Sequence, residues 1–485
     1  MEERKKMDQN QIIDDKILKE YLSVDNEYVE KLFRKELEQD TRKIIVLDDD
    51  PTGVQTVHDI SVYTEWSEEY VKKGFEEDRK MFYILTNSRG LTKDKTFQVH
   101  REIAHNIVKT AKEMNRQYLI ISRSDSTLRG HYPLETETLR EVIEKEEQIK
   151  IDGEILCPFF KEGGRYTIQD IHYVKYGEKL VPAAQTEFAK DATFSYHSSN
   201  LKEYIEEKTA GKYKAQEVVS ITLEELRGLE LEKIQEKLMG VRDFSKIVVN
   251  AVDNMDIKVF CIALYRAMKK GKHYLFRTAA AFVKEAGGIT ERPLLTREEL
   301  IKKDNPSGGL VVVGSHTEKT TKQLNSLLKM ADMVPVAFNS DLVMEEQAFG
   351  EEVIRTRKKM EEILLSGKTA VVYTRRQLLT VENDSREKAL LRSVKISEAV
   401  QSLVGELSVE PAFIIAKGGI TSSDIGTKAL KVKCAEVLGQ ICPGIPVWRI
   451  KEESKFPGMP YIIFPGNVGD DNTLREAVEI LTGNV

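Results

Sequence analysis

The chain has 485 residues, 41% of them hydrophobic and 31% charged, with a formal net charge of −6. This composition is that of a globular protein, and the length exceeds one comfortable core, so two large domains are expected. The acidic balance argues against general nucleic-acid binding, which needs basic surface. Four scattered cysteines, Cys157, Cys261, Cys434 and Cys442, form no CxxC pair and argue against a zinc site or a disulfide framework.

Met1 to Asp8 is charged, without the apolar stretch of a signal peptide, and no run reaches the ~20 apolar residues of a membrane helix. A soluble, cytoplasmic protein with no membrane partner is expected. Residues 1–40 carry Ile17, Leu18, Tyr21, Leu22, Val29 and Leu32 at amphipathic helical spacing, which predicts a charged helical extension without chemistry of its own. Short β-branched runs follow, at Ile44 to Leu47, Met81 to Leu85, Tyr118 to Ile121 and Ile247 to Val249. They resume at Leu310 to Val313, Val334 to Phe338, Ala370 to Tyr373, Ala412 to Ile415 and Tyr461 to Phe464. Helical patterns lie between many of them, so the fold class is α/β, two α/β domains with mostly parallel sheets. Residues 286–309, with Gly287, Gly288, Pro293 and the run Asn305-Pro306-Ser307-Gly308-Gly309, read as a linker. The domains are therefore expected at 41–285 and 310–485.

In open α/β sheets ligands bind beyond the carboxyl ends of strands, so the residues after each run carry the functional reading. The first run ends in Asp48-Asp49-Asp50-Pro51-Thr52-Gly53, more carboxylates than a helix cap requires and mutually repulsive unless a cation or donor meets them. The second ends in Thr86-Asn87-Ser88-Arg89-Gly90, where Arg89 can grip a carboxylate with two hydrogen bonds. The third is the densest: Ser122-Arg123-Ser124-Asp125-Ser126-Thr127-Leu128-Arg129-Gly130. Its guanidiniums and hydroxyls suit a small polyol acid; an Asx turn is the structural alternative.

In the second half Gly314-Ser315-His316-Thr317, Lys417-Gly418-Gly419-Ile420-Thr421-Ser422 and Pro465-Gly466-Asn467-Val468-Gly469 are glycine-rich strand-to-helix turns. Such turns offer backbone N–H groups to phosphate. Ser366-Gly367-Lys368-Thr369 mimics the end of a P-loop, but Glu362 occupies the first glycine position and a strand follows. GxGxxG and HExxH are absent.

Together these segments resemble the four-carbon acid sugar kinase family, which covers D-threonate, D-erythronate and 3-oxo-tetronate kinases. The matches are DDxTG at Asp49 to Gly53, DSTLRG at Asp125 to Gly130, Gly164-Arg165-Tyr166-Thr167, His172-Tyr173-Val174 and Thr186-Glu187-Phe188-Ala189. In the carboxyl half they are Gly314-Ser315 with Thr320 to Gln323, Gly418 to Ser422, and Phe464 to Gly469. Pro51 and Phe464 depart from the family's aliphatic residue and lysine. The resemblance implies a sugar-acid domain followed by an ATP domain, a ligand site in the cleft between them, closure that excludes water, and ATP with Mg²⁺ as cofactors. It implies Asp50 or Asp125 as the catalytic base and Asp49, Arg89, Arg123, Ser126, Thr127, Leu128 and Arg129 around the substrate. Ser315, Gly418, Gly419, Ile420, Thr421, Ser422 and Gly466 would line the nucleotide; metal ligands stay unassigned, and a homodimer is compatible with it. The competing readings are a regulatory protein that binds the same ligands without turnover, against which the three aspartates speak, and a hydroxyacid dehydrogenase, against which the missing GxGxxG speaks.

Overall fold

The structure, a computed structural model, describes residues 7–302, 304–377, 379, 386–466 and 468–483. Met1 to Lys6 and Asn467, used in the reading above, lie outside them. The chain divides into two compact units, Met1–Gly53 with Glu65–Thr290, and Val54–Thr64 with Glu291–Val485. Among the described residues no helix is long and apolar enough to cross a membrane.

The first unit is built on seven strands. In spatial order they are Val219–Ile221, Ser245–Val249, Gly153–Cys157, Tyr274–Thr278, Tyr118–Arg123, Lys43–Asp48 and Met81–Leu85. Every pairing is parallel, as expected of strands whose apolar runs are covered on both faces. The strand Lys43–Asp48 is buried along its whole length. A second, antiparallel sheet joins Ile13–Asp14, Lys179–Pro182, Ile171–Tyr176 and Arg165–Ile168. The amino-terminal segment is thus part of this unit: Ile13–Asp14 is an edge strand, and the helix Asn26–Gln39 buries Val29 and Phe33. Asp25 caps that helix by accepting from the Tyr28 N–H.

The second unit carries eight strands. Ile60–Tyr63, Cys434–Cys442, Ile445–Ile450 and Pro460–Phe464 run antiparallel, and Ile414–Lys417, Leu310–Val313, Thr369–Thr374 and Met333–Phe338 continue from them in parallel. Its core gathers Val311, Val313, Ile415, Val447, Ile462 and Leu474.

The division of the chain differs from the linear reading at two places. Residues 54–64 leave the first unit, because Ile60–Tyr63 pairs with Cys434–Val437. Most of the stretch read as a linker belongs to the second unit: Leu295 and Leu300 are in its core, and the Leu295 N–H donates to Gln440 O at 2.8 Å. Turn-rich composition hid two apolar anchors.

Candidate functional site

The three expected strand-end loops of the first unit come together because their strands are adjacent, Lys43–Asp48 lying between the other two. The consecutive aspartates are tied by two arginines. Arg123 Nη1 lies 3.0 Å from Asp48 Oδ1 and 3.4 Å from Asp49 Oδ1. Arg89 Nη2 lies 3.0 Å from both Asp49 Oδ1 and Asp50 Oδ2, and its Nη1 is 3.6 Å from Asp125 Oδ1. Asp125 is also bound by Arg129 Nε at 2.7 Å and by the Thr127 hydroxyl. Asp50 Oδ1 accepts from Thr52 N–H at 2.8 Å and Thr52 Oγ1 at 2.6 Å, so the turn after the strand orients that carboxylate.

Accessibility sorts these residues. Asp48, Asp49 and Arg123 have side chains no more than 7% exposed, whereas Asp50, Arg89 and Arg129 show 20–25%. Asp48 packs against Gly53 so closely that a Cβ there would lie 2.1 Å from its Oδ2. Burial pushes the Asp48 carboxyl up to about 7, although Arg123 opposes the shift, and burial raises Asp49 as well. Burial would also raise Asp50 and Asp125, but Arg89 outweighs it at Asp50, aided by Thr52. At Asp125 Arg89 and Arg129 outweigh it, and both carboxyls end below the ordinary range. The accessible acid, Asp50, is therefore ionised at neutral pH.

The Ser126 to Arg129 loop is held by its own carbonyls. Ser126 O accepts from His172 Nε2 at 2.7 Å, Thr127 O from Tyr196 Oη at 2.9 Å, Leu128 O from Tyr204 Oη at 2.9 Å and Arg129 O from Arg277 Nη2 at 2.9 Å. Burial drives His172 down to about 4, so its ring is neutral. Leu128 sits at φ +69°, a conformation uncommon for a side-chain-bearing residue, and these four donors fix it. Gly130 at φ +124° leaves room for Arg277, whose Nη2 would lie 2.9 Å from a Cβ there. Arg277 in turn faces Glu135, 3.4 Å away and itself bonded by Ser88 Oγ at 2.6 Å. Thr127 and Leu128, expected at the substrate, are nearly buried and shape the loop. His172, Tyr196, Tyr204, Glu135 and Arg277 escaped the sequence reading as site residues. The three donors nearest in sequence lie 46 to 76 positions away from their acceptors.

The second unit brings two of its expected turns into contact. A Cβ on Gly314 would lie 2.4 Å from Thr421 Oγ1, and one on Gly418, at φ +119°, 3.4 Å from Ser315 Cβ. Around Gly419 and Gly466 a Cβ would meet no atom within 4 Å, so both present open backbone; Ile420 is exposed beside them. Ser422 is different. Its Oγ is buried and donates to Ala416 O and Gly418 O, both at 2.7 Å, so it braces the turn rather than lining it.

Two cations here were not singled out from sequence. The fully buried Lys417 donates to Pro465 O at 2.6 Å and Gly466 O at 3.2 Å, with Nζ 4.2 Å from the Phe464 ring centroid. Burial lowers its ammonium to about 7. Arg376 donates to Ser315 O and to Thr321 Oγ1 at 3.0 Å, and its Nη1 is buried without a partner.

A cavity of about 530 Å³ opens at the opposite ends of the first unit's strands, beside Arg42, Tyr118 and Tyr274. None of the strand-end aspartates or arginines lines it. No group of three or more His, Cys, Asp or Glu suited to holding a metal occurs among the described residues.

Residues 44–286 match the family model described as a sugar-binding N-terminal domain, and residues 310–474 match that described as a nucleotide-binding C-terminal domain. The aspartate–arginine cluster falls in the first span and the glycine-rich turns in the second. No curated protein matches the chain. Among solved structures, the Haemophilus influenzae protein HI1011 is similar over 90% of this chain and 100% of its own, at 17% identity and a TM-score of 0.60. A Salmonella typhimurium LT2 protein described as a putative tRNA synthase is similar over 90% of this chain and 98% of its own, at 15% identity and a TM-score of 0.62. At such identities the likeness concerns the fold.

Proposed function

The chain belongs to the family that joins a sugar-binding N-terminal domain to a nucleotide-binding C-terminal domain, and from that premise we propose that it is an ATP-dependent kinase of a small, four-carbon sugar acid. In the transfer, the acceptor hydroxyl oxygen forms a bond to the γ-phosphorus, the bond to the ADP oxygen breaks, and the hydroxyl proton leaves. Such reactions depend on positioning and on charge neutralisation. Asp50 takes the proton. The observation that carries this role is its combination of exposure, ionisation and a fixed orientation by Thr52 and Arg89. Asp125 is the weaker candidate, since two arginines and Thr127 already engage it.

Arg89 and Arg123 hold the aspartates in place, and Arg129, the most exposed of the three arginines, reaches the substrate. On the nucleotide side the open backbone at Gly419 and Gly466 admits phosphate without steric obstruction. Ser315 and Thr421 add hydroxyls, and Arg376 adds a positive charge that no carboxylate of the described residues neutralises. Mg²⁺ brought in by the nucleotide would supply further neutralisation of phosphate charge.

The test is ATP consumption, coupled to ADP detection, with D-threonate, D-erythronate and their 3-oxo forms. Turnover with at least one acid, abolished in the Asp50→Asn variant, is expected. Acid and nucleotide binding without ADP formation would leave a ligand-binding protein and sink the kinase reading.

A further inference from the structure

A sugar acid brings a negative charge into a site already rich in carboxylates. Asp48, Asp49, Asp50 and Asp125 confront Arg89, Arg123 and Arg129, and each of these arginines lies within 3.6 Å of at least one of them. Four acids against three bases leave no unshared guanidinium for an incoming carboxylate.

Arg165 stands apart from this group. It opens the strand Arg165–Ile168 of the antiparallel sheet, and its backbone exchanges hydrogen bonds of 2.9 and 3.1 Å with Phe160. Gly163 makes room for it, since a Cβ there would lie 2.9 Å from Arg165 Nη1. The guanidinium has no ion pair among the described residues, and its Nε is buried with no hydrogen-bond partner. It stacks 5.6 Å from the Phe188 ring centroid, and the Arg129 guanidinium lies 5.1 Å from the same centroid. Burial lowers the affinity of Arg165 for the proton, Asp125 and, more weakly, Glu187 attract the guanidinium from a distance and Arg129 repels it, which places it at the margin of the site. A partly buried guanidinium that no carboxylate pairs directly is costly, and an aromatic face beside it favours one orientation of the planar fork. Both features suit a residue that meets its anion only when ligand arrives.

We propose that Arg165, stacked on Phe188 beside Arg129, is the anchor for the substrate's carboxylate and the residue that selects acids over neutral polyols. Arg129, already bound to Asp125, then serves the neighbouring hydroxyls. This inference rests on the sugar-acid reading above and adds a residue to it.

Calorimetric titration of wild type, Arg165→Met and Arg165→Lys with D-threonate and D-erythronate, and with the corresponding uncharged amides, tests it. Loss of a charged, buried hydrogen-bonded contact predicts about 10- to 100-fold weaker acid binding in Arg165→Met. Amide binding should be unchanged, and Arg165→Lys should fall between, keeping the charge without the fork. Equal acid affinity in wild type and Arg165→Met, or equal loss for acids and amides, overturns the proposal. If Arg165→Met does not fold, wild-type acid affinity in Arg165→Lys overturns it instead. ATP consumption is read separately. Acid binding that depends on Arg165 without ADP formation keeps the anchor and removes the kinase reading; ADP formation with Arg165-independent acid binding does the reverse. A wild type that binds none of the acids overturns both.

Discussion

Replacing Arg277 by methionine tests whether the loop around Asp125 is held from behind by a buried ion pair. Arg277 is 4% exposed and Glu135 is 1% exposed. The guanidinium lies 3.4 Å from Glu135 Oε2 and donates to Arg129 O at 2.9 Å. Methionine keeps much of the volume but leaves Glu135 with Ser88 Oγ at 2.6 Å, His100, 3.9 Å away, and the weaker influence of His131. Orphaning one member of a buried pair costs about 3–5 kcal/mol, and the lost bond to Arg129 O adds about 1 kcal/mol. The pH dependence gives a second signature. In the wild type burial raises the Glu135 carboxyl, but Arg277, helped by His100 and Ser88, brings it below its ordinary value. Its contribution is thus present above the carboxylate range and is lost as pH falls. Without Arg277 burial dominates, the carboxyl titrates higher, and the variant loses stability as pH rises through that value. The gap between the two proteins should therefore be small near pH 4 and largest near neutrality. Of the two tryptophans, Trp66 belongs to the first unit and Trp448 to the second. Urea unfolding followed by Trp66 fluorescence in a Trp448→Phe background isolates the relevant transition. Adding Glu135→Gln to Arg277→Met should recover much of the loss. A gap under about 1 kcal/mol at pH 7, well below the 3–5 kcal/mol of a broken buried pair, would refute the reasoning, as would a gap that does not change with pH.

Asp50→Asn should lower kcat by ~10²-fold or more, the scale of a general base, with little change in KM; near-normal kcat would pass the role to Asp125. Gly419→Val should weaken ATP binding in calorimetry with little change in melting temperature, because a Cβ there points into open space away from other parts of the fold; undiminished affinity would remove this turn from the nucleotide site. Lys417 titrates near 7 in the folded protein against an ordinary value of 10.5. Its contribution is complete above the ordinary value and is lost as pH falls toward 7, so the second unit should gain stability from pH 7 to 10. Urea unfolding read through Trp448 should show that slope, and Lys417→Met should flatten it; a slope identical in both proteins would contradict the assignment.

Much of the site's inventory is legible along the chain because strand ends carry it. Asp48 to Asp50, Arg89 and Asp125 to Arg129 each follow an apolar run, and parallel strands deliver their carboxyl ends to one edge of a sheet. The same rule located Gly314, Gly418 and Gly466. Where an antiparallel hairpin intervened, as at Cys434–Cys442 and Ile445–Ile450, the short buried runs gave a weaker signal, because Cys434, Glu436 and Gln440 of the first strand are only half-buried.

What the sequence determined by itself was local: the period of the apolar runs, hence α/β layers, and the residue types that follow each run. The tertiary structure alone decided which of those groups are reachable and which are structural. Three adjacent aspartates are equivalent in sequence, yet Asp48 is protonatable near 7 under Gly53 while Asp50 stays ionised and partly accessible. Ser422 and Thr421 are neighbours, yet Ser422 braces the backbone. Arg277 and Arg165 look alike, yet the first is paired with Glu135 and the second makes no ion pair among the described residues. The reason is physical. Periodicity and turn chemistry act over a few residues, whereas desolvation and ion pairing depend on groups far apart in sequence that only the completed fold brings within a few ångströms.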